Sequence, residues 1–182
     1  MKKFPTITTS FAVILSMIMA ALPLSVKAAD DYSLNNTAVQ VRVSEKNGGF
    51  SIRTAEGDKI NKDDNNKNLL FPLDDDNTSF ASVRITRGGE SKDYVFGGRY
   101  KDSSPVAVSN TGSQIDAVWS VDGVTVTQTI QLANSGDNQH GMAHISYTVR
   151  NSGAPAEIQL RLLMDTALGL SLIHILNTFI LT

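Results

Sequence analysis

Gln114-Ile115-Asp116-Ala117-Val118-Trp119-Ser120-Val121-Asp122-Gly123-Val124-Thr125-Val126-Thr127-Gln128-Thr129-Ile130-Gln131-Leu132 decides the fold class. Before the Asp-Gly step, Ile115, Ala117 and Trp119 recur every second residue. After it, Val124, Val126, Gln128, Ile130 and Leu132 alternate with Thr125, Thr127, Thr129 and Gln131. A period of two puts each set on one face of an extended chain, whereas a helix would need apolar positions three and four apart. Asp122-Gly123 supplies two residues that tolerate positive φ, which a two-residue hairpin turn of the right twist requires. The threonines suit the outer face, because β-branching fits a pleated surface. Trp119 is in phase with Ile115 and Ala117, so it is expected in the core rather than on a binding platform.

The same pattern extends outward from this hairpin. Val39, Val41 and Val43 alternate with Gln40 and Arg42; Asn47-Gly48-Gly49 then provides a turn, and Phe50 to Arg53 resumes the alternation. Further strands are predicted over residues 81–85, 93–96, 106–108, 145–149 and from Ile158 through Met164. Pro155 falls in a connection, where its missing N–H costs no ladder bond. Glu56-Gly57-Asp58 reads as a turn, and residues 61–68 and 134–141 as polar, solvated loops. After residue 28 no three-turn helix with matching caps is found. The expected fold is all-β, an antiparallel β-sandwich that is incomplete at its C-terminal end.

The N-terminus predicts export. Met1-Lys2-Lys3 is a basic start, Phe11 to Leu22 a short apolar run, and Val26-Lys27-Ala28 a small-residue cleavage pattern. These are the parts of a secretory signal peptide, with cleavage after Ala28. The run is shorter than the roughly 20 apolar residues of a membrane span, so no stable span is expected once the signal is removed. The domain reading is a signal peptide over 1–28, a truncated β-sandwich domain over 29–169 and a non-native tail over 170–182. The chain has no cysteine, so disulfides do not hold it together and no lipid-bearing cysteine follows the signal. A net charge of −2 gives no basic face for nucleic acid.

Residues able to carry chemistry are sparse. Asp74-Asp75-Asp76-Asn77 and Asp63-Asp64-Asn65-Asn66 are oxygen-rich, yet both lack the spaced ligands and closing Glu of a helix-loop-helix calcium site. His140 and His144 are four apart, which on a strand does not give the shared face of a helical zinc pair. His174 lies in the tail. No Gly-x-Ser-x-Gly elbow occurs, and Gly97-Gly98 reads as a bulge or corner rather than a phosphate loop, because no helix start follows it. Tyr94, Phe96 and Tyr100 are candidates for an exposed aromatic cluster. The expectation is no catalytic, cofactor-binding or metal-binding residue and no cofactor.

The runs Ile145-Ser146-Tyr147-Thr148-Val149-Arg150-Asn151-Ser152-Gly153 and Leu160-Arg161-Leu162-Leu163-Met164-Asp165-Thr166-Ala167-Leu168-Gly169 resemble N-terminal β-sandwich regions of large exported proteins of gut Firmicutes. In those, a strand ending in Asn-x-Gly leads to one closing with Asp-Thr-x-x-Gly. The resemblance implies a multi-domain surface or secreted polypeptide with more strands beyond Gly169. It carries over no functional residue; Asp165 and Thr166 match the motif as a structural turn or a ligand site. Leu170-Ser171-Leu172-Ile173-His174-Ile175 is similar to a translated transposase-end sequencing adapter, a match that stops at Ile175; the other reading is a native apolar strand or anchor.

The functional expectation is an exported bacterial β-sandwich module of a surface or secreted protein. It would be non-catalytic, structural or adhesive or carbohydrate-binding, with an extracellular glycan or cell-surface component as partner. The alternative is the N-terminal accessory domain of an extracellular carbohydrate-active enzyme.

Overall fold

The computed structural model describes residues 32–56, 62–71, 79–134, 141–168 and 171–181, the last span by its backbone. Eleven strands run in chain order: β1 Tyr32–Asn35, β2 Val39–Val43, β3 Phe50–Thr54, β4 Phe80–Arg87, β5 Glu90–Val95, β6 Ala107–Asn110, β7 Gln114–Val121, β8 Val124–Asn134, β9 Gly141–Asn151, β10 Glu157–Leu168 and β11 Ser171–Leu181. They form three antiparallel sheets ordered β1-β2-β3, β11-β10-β4-β5 and β6-β7-β8-β9. The fold is all-β and sandwich-like, as the alternation predicts. Pro105 and Pro155 both lie outside the strands.

The hairpin that decides the fold class forms as read. Val121 pairs with Val124 across the turn, and Asp122 and Gly123 take φ of 50° and 76°. Ile115, Ala117, Trp119, Val121, Val124, Val126 and Ile130 are buried. On the opposite face the polar residues bond across strands: Ser120 with Thr125 at 2.8 Å, and Thr129 donating to Asp116 at 2.6 Å. From the facing sheet, Ala81, Val83 and Ile85 of β4 and Ile158, Leu160 and Leu162 of β10 enter the same core. The small β1-β2-β3 sheet adds Leu34, Val41, Val43 and Phe50. Each fully buried aliphatic side chain contributes about 1.5–3 kcal/mol, so this shared core outweighs any single polar contact.

Two glycines let the sheets approach. Gly48, at the tip of the β2–β3 turn, has φ of +67°, and an added Cβ would lie 2.7 Å from a ring carbon of Phe96 and 3.2 Å from Cβ of Ala117. Gly97 has φ of +73°, and its added Cβ would collide with the carbonyl oxygen of Asn47. Gly97-Gly98 is the expected corner: Gly98 N–H donates to the Val95 carbonyl at 2.9 Å. The β2–β3 turn is thus wedged between β7 and the corner after β5.

At the other end, Arg87 joins the sheets. Its guanidinium meets the Asp122 carboxylate at 2.6 Å and the Asp122 carbonyl at 2.9 Å. β4 is thereby tied to the β7–β8 turn.

Several elements differ from the sequence reading. β1 is not announced by alternation, since only Leu34 is buried in its four residues. β5 starts at Glu90 and β9 at Gly141, earlier than their apolar runs suggest. Backbone pairing extends strands past the point where side chains need to alternate. The same holds for β11, whose backbone lies antiparallel along β10 from Leu168↔Ser171 to Ile158↔Leu181. Residues 62–68 are a partial correction to the solvated loop. Lys62–Asp64 forms a short 3-10 turn. The Thr54 hydroxyl then donates to the Asp64 carbonyl, and Thr54 N–H donates to the Lys67 carbonyl at 2.8 Å, which straps the segment to β3. Asp74 to Asn77, His140, Gly57-Asp58 and the signal segment lie outside the described residues.

Gly97→Ala is expected to destabilise the fold by about 2–3 kcal/mol, from the forced positive φ and the displaced Asn47 carbonyl. Chemical denaturation checks this: the midpoint should fall with the slope unchanged.

Candidate functional site

β9 is the last strand of its sheet, and between it and β10 the two layers part to leave an apolar groove of about 830 Å³. Ile145, Tyr147 and Val149 form one wall and Leu160, Leu162 and Met164 the other. These are the inward positions of two alternating strands: Leu160 and Leu162 are buried, and Ile145, Tyr147, Val149 and Met164 are half-buried against the core. Val39, Ile52, Leu69 and Leu70 also line the groove. Leu70 is held there by main-chain pairing with the end of β10: Phe71 N–H donates to the Asp165 carbonyl at 3.1 Å, and Ala167 N–H to the Leu69 carbonyl at 2.9 Å.

Asp165 and Thr166, which match the family-like motif, therefore lie inside β10 rather than in a turn. Asp165 N–H donates to the Ser79 hydroxyl at 3.0 Å, and Thr166 is buried at the groove wall. No Asp, Glu, Lys or Arg is among the described residues lining the groove. A volume in the range of ligand pockets with so few polar groups suits an apolar occupant or an extended backbone better than a sugar, whose hydroxyls need paired donors and acceptors.

One polar network lies behind the wall. Gln128, 2% exposed, donates its amide N–H to the Gly48 carbonyl at 2.8 Å and accepts from the Tyr147 hydroxyl at 2.7 Å. Burial pushes the Tyr147 phenol well above its ordinary value of 10.0, because a phenolate there would be stripped of water. The alternation places Gln128 inward, but no sequence signal reveals the two partners that satisfy it.

The other candidates separate. Phe96 is buried against Trp119, ring centroids 5.7 Å apart, whereas Tyr100 is 38% exposed and meets Tyr94 edge-on at 5.1 Å. The aromatic cluster is thus a pair, Tyr94 and Tyr100. The Tyr94 hydroxyl lies 3.5 Å from the Asp122 carboxylate; desolvation first, and then the Asp122 charge, raise its pKa. On the outer face of β4, Arg84 grips Asp93 through two bonds of 2.7 and 2.8 Å and holds that carboxyl below its ordinary range. His144 is exposed on β9. Among the described residues no group of three His, Cys, Asp or Glu side chains gathers as a metal site, and no helix is long and apolar enough to cross a membrane.

Comparison with family models, with curated proteins and with solved structures returns no match.

Tyr147→Phe is expected to cost about 1–2 kcal/mol at neutral pH, because it strands the buried Gln128 carbonyl oxygen. The pH dependence has a definite sign. A phenol whose folded pKa is raised contributes fully below the unfolded value near 10, and the contribution is lost as pH rises above that. Denaturation midpoints of the parent chain should therefore fall above pH 10, and those of Tyr147→Phe should fall less.

Proposed function

We propose that this chain is an exported β-sandwich module that works by binding, as a structural or adhesive part of a bacterial surface or secreted protein. The observation that carries the reading is the apolar groove beside β9. Its walls are aliphatic and aromatic, and it runs along the free edge of a long strand, a geometry suited to holding another polypeptide. Export is supported by the basic start, apolar run and Val26-Lys27-Ala28 pattern. The resemblance of residues 145–153 and 160–169 to N-terminal sandwich regions of large exported proteins supports the same setting.

A carbohydrate-binding form, alone or as an accessory domain of a carbohydrate-active enzyme, has one specific observation in its favour. The Tyr94–Tyr100 pair sits beside the Arg87–Asp122 ion pair, and so joins ring faces with hydrogen-bonding groups.

Expressed in a bacterial host, the chain is expected to leave the cytoplasm and begin at Ala29, which intact mass of the culture supernatant and periplasm checks. A chain kept inside with its first 28 residues attached would sink the export reading. The purified protein is expected to sediment with isolated cell walls, and Tyr100→Ala is expected to leave that unchanged. Loss of binding on Tyr100→Ala, together with selective glycan-array binding, would favour the carbohydrate form. Binding to neither walls nor glycans would overturn both.

A further inference from the structure

We propose that β9 is a self-association seam, at which two copies of the chain pair their β9 edges antiparallel about a two-fold axis at Ser146. The inference rests on reading the groove as a surface for polypeptide, and it names that polypeptide as a second copy.

The free edge follows from hydrogen-bond parity. Val121 and Val124 close the two-residue turn, so the backbone groups of Val124, Val126 and Gln128 point toward β7, and those of Thr125, Thr127 and Thr129 toward β9. Ser152 N–H donating to the Gly123 carbonyl at 2.9 Å continues this alternation on the β9 side. In the β8–β9 register, the even-numbered residues of β9 are therefore spent on β8. The N–H and C=O groups of Ala143, Ile145, Tyr147 and Val149 face outward along the groove.

Among the described residues the strand is undefended. Among edges whose side chains are described, β5 carries Glu90, Lys92 and Asp93, β1 and β6 are four residues long, and β3 is strapped by residues 67 and 68. Charge, shortness and cover are the usual protections of a sheet edge. β9 has eleven residues, no proline and one formal charge, Arg150.

The strand is also complementary to itself. Ser146 is its central residue, so an axis there overlaps the strand along its whole length. On the inner face that register sets Ile145 opposite the partner's Tyr147 and Ala143 opposite the partner's Val149. These are the residues whose backbone groups are free, so ladder bonds form at the same positions. An aromatic beside a β-branched side chain is a favourable cross-strand pair. On the outer face Ser146 meets the partner's Ser146, His144 the partner's Thr148, and Met142 the partner's Arg150. No like charges oppose. Joined this way, two four-stranded sheets become one continuous sheet, and the half-buried side chains of Ile145, Tyr147 and Val149 in both copies are brought together across a closed two-fold contact.

Sedimentation velocity over a wide concentration range, run on the purified chain, tests the proposal. The expected result is a reversible dimer. Ser146→Lys and Ser146→Glu, each placing like charges opposite at the axis, should weaken association at least tenfold, and an equimolar mixture of the two should restore it. Hydrogen exchange on the parent chain gives a readout that needs no variant: protection of the Ile145, Tyr147 and Val149 amides should rise with protein concentration. A parent chain that stays monomeric, a dimer insensitive to both substitutions, or concentration-independent protection of those amides would overturn the seam. Export and wall binding by a monomer would leave the module reading standing, so the two failures are distinguishable.

Discussion

The amide of Gln128 is the constraint on which the rest of the arrangement depends. It is almost wholly buried, and a buried amide without partners costs far more than a satisfied one contributes. Its N–H reaches the carbonyl of Gly48 in the small sheet, and its oxygen takes the hydroxyl of Tyr147 on β9. Three elements distant in sequence must therefore reach their places together. The β2–β3 turn can reach Gln128 only because Gly48 has no side chain to strike Phe96 and Ala117, and Gly97 none to strike Asn47. Apolar burial supplies most of the stability, but an oily core tolerates sliding. A satisfied polar group inside it does not.

The same network explains the form of the groove. Tyr147 points its hydroxyl into the core, which turns its ring into part of the wall and aligns β9 with Ile145 and Val149 beside it. Across the gap, β10 presents Leu160, Leu162 and Met164. The strand at the end of the sheet thus has an apolar inner face, and every second residue turns its backbone groups away from β8. Both would be satisfied by the second strand proposed above.

Much of this fold is legible in the chain. The Asp122-Gly123 hairpin, the Asn47-Gly48-Gly49 turn, the corner at Gly97-Gly98, the burial of Trp119 and the exposure of His144 all follow from local chemistry, because turn residues and alternation act over a few positions. Less legible are β1, β11 and the strapping of residues 62–68 to Thr54, which depend on a neighbouring backbone rather than on their own side-chain pattern. The groove is the least legible feature. Ile145 and Leu162 look like ordinary core residues, and nothing local says that the layers part between them.

By itself the sequence determined most of the strands, their inward side chains and the main places where the chain reverses, since each is settled by a residue and its near neighbours. Only the tertiary structure decided which strands became edges, that Phe96 is buried while Tyr100 is exposed, that Asp165 and Thr166 lie within a strand, and that Gln128 answers to Gly48 and Tyr147. Those outcomes are set by the order of strands in the sheets, and that order depends on contacts between residues 80 and more positions apart. Alternation tells a strand which face to bury, but not beside whom.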